Sequence, residues 1–160
     1  MRLAPLALRL VAPIVLAGCM GNLTPTDKIQ SAAQELNTAA RFGRMDIALE
    51  HVARKSKDDF AKRHIAWGGD VRIIDTEMLG MAMRESGHAV VYLAVSWQRV
   101  AESEMRTTQV TQHWRNVRDG WKLDEEERST GDVGLFGERV VVVRAPDGKR
   151  DVQFDSIVIR

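Results

Sequence analysis

Hydrophobic positions along this chain change their period near residue 70. From residue 27 to residue 67 they recur every three or four positions, and from Val71 onward they alternate. The first portion predicts three helices. Asp27 is placed to cap the first, with Gln30 three residues on in capping-box spacing and Pro25 in the preceding turn. Ile29, Ala32, Ala33, Leu36 and Ala40 then share one face, and Gly43 stops the helix. A short second helix takes Asp46 as its cap and carries Ile47, Ala48, Leu49 and Val52. The third starts after Ser56, with Asp58 and Asp59 in a first turn whose dipole favours acids. Its buried face holds Phe60, Ala61, His64, Ile65 and Trp67 before Gly68-Gly69.

The alternating portion predicts strands. Val71 to Met83 carries Ile73, Leu79, Met81 and Met83, with Gly80 marking a bend or bulge. Glu85 to His88 makes a turn, and Ala89 to Ala101 places Val91, Leu93, Val95 and Trp97 on one face. Met105 to Val117 is rich in Thr and Val, and Asp119-Gly120 is a hairpin signal leading into Trp121-Lys122-Leu123. Long strands joined by short turns predict an antiparallel meander. Ser129 to Glu138 reads as a Gly-bearing loop, and Arg139 to Arg144 and Val152 to Ile159 flank the turn Pro146-Asp147-Gly148-Lys149. The class is α+β: N-terminal helices packed on a curved antiparallel sheet, with an additional C-terminal β-hairpin.

The segment ahead of the first helix has a different character. Arg2 and Arg9 precede an uncharged, mostly apolar run from Leu10 to Gly18. As a helix that run would reach only about 14 Å, against a hydrocarbon core of about 30 Å. It therefore suits a cleavable signal, and Pro13 weakens it further as a permanent helix. Leu16-Ala17-Gly18-Cys19 resembles the lipobox of bacterial lipoproteins. The resemblance implies cleavage between Gly18 and Cys19, a diacylglycerol on the thiol, and frequently a further acyl chain on the new N-terminus. Two or more acyl chains make a stable anchor. Met20 follows, not the Asp that retains many such proteins at the inner membrane, so an outer-membrane location facing the periplasm is expected. The chain divides into a signal peptide (1–18), a lipidated tether (19–26), a helix-plus-sheet domain (27–128), and a loop and hairpin (129–160).

Composition narrows the function classes. The 160 residues are 44% hydrophobic and 28% charged, enough for one domain with its own core. Of 23 basic and 22 acidic residues, two arginines lie in the first eighteen positions, which leaves the remainder slightly acidic. That balance does not provide for nucleic-acid binding. A single Cys excludes an internal disulfide, and it sits at the processing signal.

Helices followed by a long curved sheet ending in an aromatic hairpin resemble the nuclear transport factor 2-like superfamily, over roughly Asp27 to Glu127. The run from Gln112 to Leu123 (QHWRNVRDGWKL) is similar to SnoaL-like members. The resemblance implies a cone whose mouth can hold a small molecule. Some members are isomerases, dehydratases or cyclases using a polar residue inside the cone, and others are binding or assembly modules.

Candidate chemistry is sparse. His64, on an apolar helix face, is a candidate general base. Asp75, on the parity of Ile73, could act as a carboxylate directed into the cone; the plain alternative is a solvent-facing residue or one paired with an arginine such as Arg106. Trp67, Trp97 and Trp114 are candidate ligand-lining residues, though such tryptophans commonly fill the core. The four histidines show no metal-ligand spacing, and no motif implies a cofactor. The acidic run Asp124 to Glu127 reads as a solvated strand end beside Arg128. The expectation is a membrane-anchored, non-enzymatic envelope protein binding a partner protein, a second copy or a small apolar ligand. The alternative is a small-molecule isomerase or dehydratase.

Overall fold

The computed structural model describes residues 23–138 and the backbone of 143–144 and 150–151. The signal segment, Cys19 and the turn at 146–149 lie outside the described residues.

Helix α1 spans Pro25–Arg41. Its cap is Thr24 and not Asp27: the Thr24 hydroxyl accepts from the Asp27 amide, and the Asp27 carboxylate accepts from the Thr24 amide at 2.9 Å. The box is thus set three residues earlier than the Asp27–Gln30 spacing suggests, because Pro25 fits the first helical position, where its lack of an N–H costs nothing. The Thr24 hydroxyl and amide hold the Asp27 carboxyl below the usual carboxylate range. Ile29, Ala33, Leu36, Asn37, Ala39 and Ala40 form the buried face. Helix α2 is a single turn, Met45–Ala48, with Arg44 at its N-cap, so Asp46 lies in its first turn and does not cap it. Helix α3, Lys57–Arg63, follows a 3-10 turn at Arg54–Ser56. Ser56 makes no cap either; its hydroxyl donates to the Asp124 carbonyl at 2.6 Å and ties the helix start to the sheet.

Four antiparallel strands come next, in meander order: β1 (Val71–Arg84), β2 (His88–Arg99), β3 (Met105–Val117) and β4 (Gly120–Gly131). A separate pairing joins β5 (Val143–Arg144) to β6 (Arg150–Asp151), two residues each. The β4 strand runs past the expected loop start at Ser129, to Gly131.

The face of the sheet toward the helices carries Val91, Leu93, Val95 and Trp97 of β2, Val110 and Trp114 of β3, and Trp121 and Leu123 of β4. These join the α1 face, Phe60 and Trp67 in one core. Burying a large apolar side chain contributes roughly 1.5–3 kcal/mol, so this shared cluster is what holds the short helices in place. Two β-bulges in β1 alter what alternation predicts. The register slips between Ile73 and Asp75 and again between Met78 and Gly80. Each extra residue reverses the parity of the strand beyond it, so Leu79 is half exposed although Ile73 is buried. Ile65 is 84% exposed because α3 ends one residue before His64, leaving Ile65 in the turn beyond the helical face. Among the described residues, no helix is long and apolar enough to cross a membrane.

Candidate functional site

The most concentrated polar chemistry lies inside the core, where four elements meet. His64, the residue that terminates α3, is almost fully buried. Its Nδ1 is 2.7 Å from the Phe60 carbonyl and its Nε2 is 3.1 Å from Oε2 of Glu126 on β4. A carbonyl can only accept, so the Nδ1 proton is donated to Phe60, and Nε2 faces the carboxylate. Oε2 has no aligned hydrogen-bond donor, so the 3.1 Å approach is a close polar contact rather than a well-directed bond. The other carboxylate oxygen accepts from Gln112 Nε2 at 2.8 Å. Gln112 in turn exchanges hydrogen bonds with Asn37 of α1, at 2.9 and 3.2 Å, and accepts from the Trp114 indole at 3.3 Å. Burial pushes the Glu126 carboxyl up, but the His64 charge, the hydrogen bonds and the nearby Arg63 outweigh it and hold it below the ordinary range.

Aromatic rings enclose this group. Phe60 stacks on the His64 ring at 3.8 Å, Trp67 meets its edge at 4.3 Å and Phe136 at 5.3 Å. Arg63 lies 4.4 Å from the Phe136 ring centre and also donates to the Glu126 carbonyl.

The other candidates fall elsewhere. Asp75 is largely exposed and bound at 2.7 Å by Arg41, not Arg106. The bulge beside Ile73 removes it from the parity that would have aimed it inward. His64 and Asp75 therefore share no cavity. Trp67, Trp97 and Trp114 are all core residues, each with its indole N–H satisfied: by the Leu135 carbonyl at 3.0 Å, Thr108 Oγ1 at 2.9 Å and Gln112 Oε1. Among the surface clefts, one of about 590 Å³ is lined by Glu35, Thr38, Phe42 and Ile47 among others. Two more hold about 190 Å³ beside Phe60, Arg63 and Glu126, and about 460 Å³ beside Arg54 and Arg115. None of the three is lined by His64, Asp75 or these tryptophans. Among the described residues, no three His, Cys, Asp or Glu side chains cluster to hold a metal ion.

Glu126 is the residue that alternation misplaces. Trp121 and Leu123 face inward, and unbroken alternation would send 125 inward and 126 out. A register shift between His113 and Trp114 makes Asp124 the extra residue, so Glu126 turns into the core. Of the acidic run, Glu125 and Glu127 are exposed as a solvated strand end, and Asp124 and Glu126 are not. Asp124 is paired with Arg115 at 3.0 Å and Lys55 at 3.6 Å, and Arg128 pairs with Glu138 at 3.3 Å.

Comparison with known proteins identifies the architecture. No family model matches the chain, and no curated protein matches it. Among solved structures, an NTF2-like protein from Cytophaga hutchinsonii aligns with a TM-score of 0.53 at 13% identity, over 66% of this chain and 98% of that one. A SEC-C motif containing protein from Rhodopseudomonas palustris aligns with a TM-score of 0.53 at 16% identity, over 61% of this chain and 75% of that one. A candidate Ca/calmodulin-dependent kinase II association domain from Exiguobacterium sibiricum gives 0.55 at 7% identity, over 68% and 95%. At such identities the likeness is one of fold, and the fold is NTF2-like: helices seated in a curved four-stranded antiparallel sheet.

Proposed function

We propose that the chain is a bacterial envelope lipoprotein, held on the outer membrane through lipid on Cys19, whose NTF2-like domain is a non-enzymatic binding module for a partner protein or a small apolar ligand. The observation that carries the non-enzymatic reading is that the two candidate bases, His64 in the core and Asp75 at the periphery, do not converge. Catalysis of isomerisation or dehydration needs polar groups converging on an accessible apolar pocket. His64 and Glu126 are instead engaged with each other, and His64 Nδ1 is taken up by the Phe60 carbonyl. Asp75, the other candidate base, is engaged by Arg41 at the periphery. The anchoring half is supported by the sequence Leu16-Ala17-Gly18-Cys19 behind a short apolar run.

Replacing Cys19 by Ser tests the anchor, since the thiol is the lipid acceptor. The native chain should sediment with outer-membrane vesicles and take up labelled palmitate. The variant should do neither and appear in the soluble periplasmic fraction. Equal membrane retention and labelling of both chains would refute the assignment.

A further inference from the structure

The stretch between α2 and α3 is held on the edge of the sheet. The Ala53 amide donates to the Leu123 carbonyl and the Leu123 amide to the His51 carbonyl, each at 2.8 Å, so residues 51–53 run alongside β4. Arg54 and Lys57 follow at once, and the docking sets them beside the end of the sheet where β3 turns into β4. Between these parts lies the cleft of about 460 Å³, lined by Arg54, Lys57, Arg115 and Lys122 together with the carboxylates of Glu50 and Asp119. We propose that this cleft is a phosphate site, and that it takes the head group of an anionic phospholipid.

The cations there are poorly compensated. Among the described residues, the side chains of Arg54 and Lys57 make no hydrogen bond or ion pair. The Lys122 ammonium donates at 2.6 Å to the Glu50 carbonyl, a neutral group that leaves its charge unanswered. Arg115 has a share in one carboxylate: its Nη2 meets Asp124 at 3.0 Å, and Lys55 approaches the same oxygen at 3.6 Å. Its Nε is buried with no acceptor, which leaves the guanidinium only partly engaged. Arg115 and Lys122 are moreover direct cross-strand partners, and like charges in that position repel. An anion between them would turn the repulsion into attraction. Several cations spread round a cleft suit a group with several acceptor oxygens, as a phosphate has. Four cations against two carboxylates leave a charge of +2, which accepts one phosphodiester and not a polyphosphate.

The place of the cleft supplies the source of that phosphate. Along α1, Glu35 meets His51, Asn37 meets Gln112 and Arg41 meets Asp75. Asp75 pairs with Ser96, and Ser96 with Thr107, so α1 runs away from the turn between β3 and β4 and begins on its side. The amino end of the domain and the cationic cleft therefore lie toward the same end of the sheet. Val52, Ala53 and Val117 add an apolar lining for a glycerol backbone and the first methylenes. The choice of a lipid over a free phosphate rests on the anchoring reading above; the anion site itself does not.

Calorimetric titration of the full chain in nonionic detergent tests this, with dihexanoylphosphatidylglycerol, dihexanoylphosphatidylcholine and inorganic phosphate as probes. The phosphatidylglycerol should bind saturably, at least about tenfold more tightly than the zwitterionic phosphatidylcholine, and more weakly as salt rises. The variant R54E/K57E reverses two charges that hold nothing in the fold. It should unfold in urea with the native chain and lose about tenfold or more in affinity for phosphatidylglycerol. Equal binding of the two lipids, or an unchanged affinity in the folded variant, overturns the site. Inorganic phosphate that binds as tightly as phosphatidylglycerol overturns the lipid assignment in favour of a free phosphate. Should R54E/K57E fail to fold, R54Q/K57Q removes the same charges without introducing new ones and is read in the same way. None of these titrations needs lipid on Cys19, so failure of the anchor and failure of the site are seen separately.

Discussion

The two nitrogens of the His64 ring face the Phe60 carbonyl and the Glu126 carboxylate, and this decides what the residue contributes. It is the main partner of a buried carboxylate, so His64→Leu should cost about 3–5 kcal/mol by taking that partner from Glu126, while H64L/E126L should recover most of it. Urea unfolding of the three chains checks this. The Glu126 carboxyl is held below its ordinary value of 4.5, so the folded state binds the proton less readily than the unfolded one. The stability it contributes is therefore full above about pH 4.5 and lost as pH falls through the lowered folded value. Glu126→Gln should flatten that acid limb, and an unchanged limb would show that other carboxylates set it. Sequence periodicity places His64 on the buried face of α3 and misses its partner. The reason is a single extra residue: nothing in the letters Asp124-Glu125-Glu126-Glu127 tells which of four acids a bulge turns inward. Asp75 fails in the opposite sense, since the bulge at Ile73 takes it out.

At the level of elements, glycine governs where β4 can end. Gly131 holds φ +89°, and a Cβ there would run into the Thr107 carbonyl of the neighbouring strand. Gly131→Ala should therefore destabilise by about 1–3 kcal/mol from the left-handed backbone alone, more with the clash, lowering the thermal midpoint by several degrees. A variant melting with the native chain would show that the strand end relaxes freely. The strand pattern itself is well written in the sequence: β3 runs from Met105 to Val117 as alternation predicts, and Gly80 sits at a bulge. Helix caps are less legible. Asp27, Asp46 and Ser56 all have capping chemistry, yet Thr24 takes the first role and Ser56 is drawn away to a strand carbonyl. Several side chains at each helix start can satisfy the orphan amides, and tertiary contacts choose among them.

Across the described residues, helices and sheet share one cluster in which no helix carries a separate core. Tryptophan fluorescence, which reports Trp67, Trp97, Trp114 and Trp121 in that cluster, should consequently unfold in step with far-ultraviolet circular dichroism. Separate midpoints would mean that the helices leave the sheet first. Helix α1 adds a consequence of its own. Its seventeen residues make a rod of roughly 25 Å. Its far end leads to Gly43, against Gly68 in the turn after α3, and the neighbouring Trp67 is what holds residue 135. A chain held at its amino end would thus carry the turn after α3 about a helix length from the point of attachment. Tension applied there would load the rod lengthwise before it reached the aromatic layer around Trp67.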